Sequence, residues 1–356
     1  MTDSVIQHSP IDAVITWVDG ADPAHKEKLE KYILSIGGQR PRAASTARFH
    51  SLNEIEYCVV SLLKFAPWIG TIFVVSDNQA PGFIKKLAGT KYESRVKVID
   101  HRIIFSGYED CLPSFSSMSI ASLLWRIPGL SERFIFLNDD FCLIRSLSPS
   151  AFYRDEKVVL RGSWKVQTER RLIKKIVNWF KRCFGVGEKN TSNSRVRFIG
   201  VQENSARMFG YMQNVFQLEH NPHPWRKSVW RDYCERYPEI LKTNISFRFR
   251  SPLQFVPEGF SAHCLLKMGL AVVDNQLRTL QIKPGDQALI RIKAKLAQAD
   301  RDASYVFACF QSLENASPEA LATILGWIDK RIGDLDHFLA QEAAADREFY
   351  SESKCI

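Results

Sequence analysis

Apolar positions along the first 150 residues fall into two spacings. Short unbroken runs, Ala13–Val18 (AVITWV), Thr71–Val75 (TIFVV) and Phe134–Leu137 (FIFL), have the length and the β-branched or aromatic content of buried strands; Arg95–Ile99 (RVKVI) completes the set. Between them, Asn53–Phe65 places Ile55, Val59, Leu62 and Leu63 at helical spacing, and Ser119–Trp125 reads as a second helix closed by Pro128-Gly129. Strands separated by helices predict an α/β domain with a largely parallel sheet covered on both faces. Ligands of such sheets sit beyond the carboxyl ends of the strands. Each run here ends in a polar turn: Asp19-Gly20, Ser76-Asp77-Asn78, Asp100-His101 and Asn138-Asp139-Asp140. Asp19, Asp77, Asp100 and the Asp139/Asp140 pair are therefore expected along one edge of the sheet.

Further on the pattern is less regular. Residues 200–275 mix both spacings and contain the Pro-interrupted stretch His220–Trp225 (HNPHPW). From Ser317 the chain turns helical, with Ile324, Trp327, Ile328, Ile332 and Leu335 on one stripe, which reads as core or a partner face. Ser317 followed by Pro318 is a helix start. The expected organisation is a catalytic α/β domain over 1–316, interrupted by an insertion or arm at 161–198, and a helical C-terminal extension over 317–356.

Charge singles out that insertion. The 356-residue chain has a net charge of +9, and residues 161–198 hold eleven Lys/Arg against two Glu, so this segment alone carries 11 − 2 = +9. Its centre, 169–184, sets Leu172, Ile176, Trp179, Phe180 and Cys183 on one helical face and Lys174, Lys175, Lys181 and Arg182 around the other. Such a helix suits peripheral contact with an anionic membrane, or equally a helix docked on its own domain with a solvated basic face. Basic charge by itself specifies no nucleic acid. No apolar run reaches transmembrane length, and the N-terminus lacks the basic and apolar regions of a signal peptide. Eight scattered Cys without a CxxC pair suit reduced thiols in a cytosol.

FIFLNDDF (134–141) is the most informative stretch. Adjacent carboxylates where a buried strand surfaces lose solvation and repel each other, so the pair suits a metal, a phosphate-bound cation or a proton transfer. The plain alternative is a solvated turn.

Several segments together resemble the Stealth-type sugar-phosphate transferases. IDAVITWVDGADP (11–23) is similar to their first conserved block. ARFHSLNEIEYCVVSLLKFAPWIGTIFVVSDNQAP (47–81), DHRIIF (100–105), LPSFSS (112–117) and LLWRIPGLSERFIFLNDDFCL (123–143) are similar to the second. HNPHPWRKS (220–228) with FRFRSPLQF (247–255) resembles a third, and FACFQSLENAS (307–317), more weakly, a fourth. The resemblance implies a Rossmann-like, glycosyltransferase A-type nucleotide-sugar domain. It also implies transfer of a sugar-1-phosphate from a nucleoside-diphosphate sugar, such as a UDP-sugar, to a glycan hydroxyl in capsular or cell-surface polysaccharide synthesis.

That chemistry assigns expected roles. Asp139 and Asp140 hold Mg²⁺ or Mn²⁺ and supply the general base, in either order, with Asn138 orienting them. His220 donates to a phosphate or the leaving group, and Lys227 neutralises phosphate. Arg248 and Arg250, two apart in FRFR, share a strand face and grip a diphosphate, or form a surface ladder. Asp19, Asp77, Asn78, Asn53 and Glu54 contact the substrates, although Asp19 also suits a turn and Asn53 a helix cap. One stretch departs from the family: where members carry an Asn and a His after LP-[ST]-F, this chain reads FSSMSIA, leaving Ser116 to hydrogen-bond a ligand and Met118 unable to do acid–base chemistry. The partners implied are a nucleotide-sugar donor and a growing, lipid-anchored polysaccharide, which places the protein in the cytoplasm at the inner face of the membrane. The alternatives are a metal-dependent glycosyltransferase that attacks the anomeric carbon and releases the nucleoside diphosphate, and a non-catalytic basic protein that binds polyanions.

Overall fold

A computed structural model describes residues 9–41, 53–168 and 198–352. The strands are β1 (Ile11–Thr16), β2 (Ile72–Ser76), β3 (Val96–Asp100), β4 (Arg133–Asn138), β5 (Phe141–Leu143), β6 (Tyr153–Arg154), β7 (Lys157–Leu160), β8 (Gly162–Val166), β9 (Asn214–Leu218), β10 (His223–Arg226), β11 (Ala271–Val273), β12 (Arg278–Ile282) and β13 (Tyr305–Phe310). The main sheet has the order β10-β4-β1-β2-β3. β4, β1, β2 and β3 are parallel, and β10 runs antiparallel along β4. The four apolar runs expected from the sequence are its parallel strands, each within one or two residues.

Alternation along these strands builds a core on each face. Ala13, Ile15, Ile72, Val74, Ile135 and Leu137 enter one apolar cluster, and Val14, Phe73, Val75, Phe134 and Phe136 enter the other. Both faces are dry, so the strands read as continuous apolar runs. The first face is covered by α2 (Glu54–Phe65), which follows α1 (Pro23–Ser35), a helix the apolar spacing does not announce. The second face is covered by aromatic packing around Trp225, Trp230 and Phe260.

Asp12 fixes the entrance of β1. Its buried carboxylate accepts from the backbone N–H of Thr71 and of Ser131, each at 2.8 Å, tying the loops before β2 and β4 together. Gly70 makes room for this: a Cβ there would lie 2.9 Å from the Asp12 Oδ1.

Three expectations need correction. The helix expected over Ser119–Trp125 is two short pieces, Ser117–Ala121 and a 3-10 turn at Leu124–Arg126. The FRFR stretch is a bend rather than a strand, because Phe249 turns in to stack on Phe115 while the neighbouring backbone pairs Phe115 N–H with Arg248 C=O at 2.8 Å. The basic segment begins inside the fold: β8 pairs with β9, and Arg161 is buried, lying over the rings of Phe307 and Phe152 and donating to the Ala151 carbonyl at 2.6 Å. The expected amphipathic helix over 169–184 lies outside the described residues.

At the C-terminus, Ser317 accepts from the Ala320 N–H and Pro318 opens the helix Pro318–Arg331, as its sequence predicts. Ile324, Ile328, Ile332 and Leu335 are buried in the same cluster as α2, so the helical stripe is core. Among the described residues no helix is long and apolar enough to cross a membrane.

Candidate active site

Parallel pairing sets the site. In register, Thr16 lies between Val75 and Asn138, and Ser76 lies beside Asp100. The turns that follow β4, β1, β2 and β3 therefore open on one edge, which brings Asp139/Asp140, Asp19, Asp77/Asn78 and Asp100 along a single line. β10 begins on the same edge, because His223 pairs with Phe136 and the residues before it run back past the end of β4. That sets the bend at His220 and Asn221 on the same edge of the sheet as the acidic turn.

Asp139 and Asp140 form the two-residue turn between β4 and β5. Burial, the neighbouring Asp140 and Glu54 hold the Asp139 carboxyl well above the usual carboxylate range. Burial is also the largest influence on Asp140, raising its pKa to about 6, with Glu54 adding to the rise while Cys309 and Arg250 oppose it. Asp140 Oδ2 accepts from the Cys309 thiol at 3.6 Å, whereas Oδ1 is buried with no hydrogen-bond partner. A buried carboxylate oxygen left unpaired is costly, and a cation or a proton relieves it.

Neighbouring elements hold this turn in place. The Phe310 N–H donates to the Asp140 carbonyl at 3.0 Å, and the Leu143 N–H donates to Ser61 Oγ of α2, also at 3.0 Å. Asn53 precedes α2 in the left-handed region at φ 68°, a conformation Asn tolerates. It makes no side-chain cap: its amide donates to Glu56 Oε2 at 2.6 Å. Glu54 opens α2 and acts on both aspartates.

A second polar group sits beyond β1 and β2. The Asp19 N–H donates to Gln79 Oε1 at 3.0 Å, and Gln79 Nε2 donates back to the Asp19 carbonyl at 2.9 Å and to Asp22 at 2.7 Å. The Asp19 carboxylate accepts from the Ala21 N–H at 2.8 Å, so it also shapes its own turn. Asp77 takes an ion pair from Lys28 at 2.6 Å, and Asn78 adopts φ 56°. His25 and His101 are buried against this group, and burial lowers both pKa values, that of His101 to about 4.

The cationic residues divide. Arg250 acts on Asp140 and donates to Ser117 Oγ at 2.7 Å. Arg248 is instead tied to the Asp110 carbonyl, and with 248–249 in a bend the strand face that would align the two is not formed. Lys227 is a second correction. Because β10 runs antiparallel to β4, Lys227 arrives at the opposite edge, where its N–H meets the Glu132 carbonyl at 2.8 Å and its Nζ meets that of Leu130 at 3.2 Å. Ser116 is a third: it is buried in a network with Gln254, Ser119 and Asn244 that stitches the chain to 244–254, so it faces no ligand. Met118 packs on Val201 and Val256. His220, half-buried against Phe198, has its pKa lowered by burial and by Lys283, which favours the neutral imidazole.

The sequence pattern gives no sign of Cys309, Asn221 or Lys283. Asn221 is buried with its amide nitrogen unpartnered. Cys309 falls within the weakest segment of the family resemblance, and Gln79 within the SDNQ segment.

The residues fit a hard divalent cation in kind, since Asp139 and Asp140 offer carboxylate oxygens whose charge nothing fully compensates. Among the described residues no group of three or more His, Cys, Asp or Glu forms a ready-made cage. Mg²⁺ sites with one or two carboxylates completed by phosphate oxygens and water have this composition.

Residues 9–37 match conserved region 1 of Stealth proteins, and residues 48–160 match conserved region 2. An exopolysaccharide phosphotransferase of Streptomyces coelicolor is 35% identical over 65% of this chain and 22% of its own length. Capsular polysaccharide phosphotransferases of Haemophilus influenzae and Actinobacillus suis are 31% and 37% identical over 68% and 69% of this chain, covering 61% and 63% of theirs. The chain thus spans less than two thirds of the length of these relatives. Among solved structures, the apo WbbM bifunctional glycosyltransferase aligns at a TM-score of 0.43 with 10% identity, over 92% of this chain and 52% of that one.

Proposed function

This chain belongs to the Stealth proteins by its first two conserved regions, and on that premise we propose that it transfers a sugar-1-phosphate from a nucleoside-diphosphate sugar to a glycan hydroxyl. The observation that carries the reading is the carboxylate pair at the carboxyl edge of the parallel sheet, with Asp140 Oδ1 buried and unpaired. The phosphotransferase names of the relatives support it. The glycosyltransferase A-type description of the domain belongs to the same proposal.

The acceptor oxygen attacks the sugar-bearing phosphorus, a new P–O bond forms, and the bridge to the second phosphate breaks. The nucleoside monophosphate leaves with the bridging oxygen, and the product is a phosphodiester. Asp140 takes the acceptor proton, since a carboxyl with a pKa of about 6 is ionised at neutral pH yet more basic than a solvated one. Of the pair, Asp139 would hold Mg²⁺ or Mn²⁺ together with phosphate oxygens, and the ion would neutralise the diphosphate charge while leaving Asp140 free for the proton. Arg250 adds positive potential on the same side, and His220 and Asn221 donate N–H groups to phosphate oxygens. Asp19, Asp77 and Asn78 orient the nucleoside end.

The test is a screen of nucleotide sugars with a polysaccharide primer, reading the released nucleotide and the phosphorus NMR of the product. Nucleoside monophosphate together with a new phosphodiester resonance is expected. Release of the diphosphate would sink the proposal in favour of a glycosyltransferase attacking the anomeric carbon.

A further inference from the structure

A second concavity lies away from the acidic turn. It has a volume of about 720 Å³ and is walled by Phe65 at the end of α2, by Arg145 just after β5, and by Asp300, Trp327, Lys330 and Arg331. Both α2 and β5 leave the acidic turn and arrive here, so the cleft lies roughly 18 Å away, the length of a helix the size of α2.

The walls are pre-set rather than pliant. Trp327 Nε1 donates to Asp300 Oδ1 at 3.1 Å, and Arg331 pairs with the same carboxylate while lying over the indole at 5.4 Å. Arg145 is braced by the carbonyls of Ala299, at 2.7 Å, and of Tyr305. Lys64 lies over the Phe65 ring at 5.3 Å. Lys330 is exposed and has no partner among the described residues. The lining thus sets three cations and two aromatic side chains against one carboxylate that is already paired.

We propose that this cleft binds a distal stretch of an anionic glycan, the acceptor chain whose end lies at the acidic turn. Aromatic faces take the apolar faces of sugar rings, and the surplus cations take the phosphodiester groups between them. The inference rests on the phosphotransfer reading for the identity of the glycan. It predicts a dependence on chain length that the acidic turn alone would not produce: an acceptor too short to span the separation never reaches the cleft.

The test uses the full chain carrying Asp140→Asn, so that binding is read without turnover. The probes are phosphodiester-linked hexosamine oligomers, one a dimer and one long enough to reach both places, with a neutral hexose oligomer of equal length as control. Adding Lys330→Glu or Trp327→Ala should weaken the long oligomer about tenfold and leave the dimer unchanged. Lys330 is exposed, so its variant tests the cleft even where loss of Trp327 disturbs packing. Equal weakening of dimer and oligomer, no weakening by Lys330→Glu, or equal affinity for the neutral oligomer would each overturn the proposal. So would uridine diphosphate binding that Lys330→Glu abolishes. Length-dependent binding in a protein whose wild type transfers no phosphate would leave the cleft standing and remove the phosphotransfer reading alone.

Discussion

Replacing Asp140 should move activity and stability in opposite directions. As the centre of the proposed transfer, Asp139 or Asp140 changed to Asn should lower single-turnover transfer by about 10²–10⁴-fold. Unchanged transfer would remove the pair from the chemistry, and no transfer even by wild type would leave a protein that binds polyanions only. Stability should move the other way. The folded pKa of Asp140 is raised, so the folded state holds a proton that the unfolded chain has released between about pH 4 and 6, and stability falls as pH rises through that window. In divalent-free buffer at pH 8, Asp140→Asn should therefore be more stable than wild type, by on the order of 1–3 kcal/mol in urea unfolding, with the gap closing below pH 4. His223 has the opposite sign. Burial, with His220 and Arg161 nearby, lowers it to about 3, so the unfolded chain takes up a proton below about 6.5 that the folded imidazole refuses. Stability is lost as pH falls, by about 2 kcal/mol between pH 7 and 5, and His223→Asn should flatten that slope in pH-resolved urea midpoints. The acidic pair was legible because carboxylates after an apolar run are conspicuous. Cys309 was not, because a thiol in an apolar strand looks like any other core residue until β13 brings it against Asp140.

Pairing direction decides which residues reach the site. The parallel strands announced themselves through unbroken apolar runs, and the edge on which their turns gather followed from parallelism alone. β10 did not: with Pro224 inside it, HNPHPW reads as irregular, and Pro is accommodated only because β10 lies at the edge of the sheet. Its antiparallel course starts at the edge that holds the acidic turn, just after His220, and carries Lys227 to the opposite edge. Lys227→Met should accordingly leave kcat/KM for transfer unchanged while costing about 1 kcal/mol of stability for the lost bond to Leu130. A large rise in KM would show that the residue serves the site. The spacing of Arg248 and Arg250 misled for a related reason: period-two spacing places residues on one face only if the segment is a strand, and Phe249 is spent on the ring of Phe115 instead.

For the whole molecule, the C-terminal helices are structural partners of α2. The Leu335 N–H donates to Glu56 Oε1 at 3.1 Å, and Lys64 donates to the carbonyls of Arg331 and Ile332 at 3.2 and 2.9 Å. A chain ending at residue 316 should lose its cooperative thermal transition; retention of it would show that 1–316 folds alone. The basic stretch makes a separate prediction. Deleting 169–184 should release the protein from anionic vesicles at moderate salt, read by co-sedimentation, and unchanged partitioning would remove the membrane role without touching transfer.

The hydrogen bond between Cys309 and Asp140 joins residues 169 positions apart, and the strand that supplies it follows every other strand in sequence. During synthesis the acidic turn emerges early with its brace from α2, but lacks the contacts from Cys309 and Phe310 until β13 has left the ribosome and docked. Long loop closures of this kind are the slow steps of folding. A chain that has not yet reached β13 therefore displays the acidic residues without the Cys309 and Phe310 contacts to Asp140.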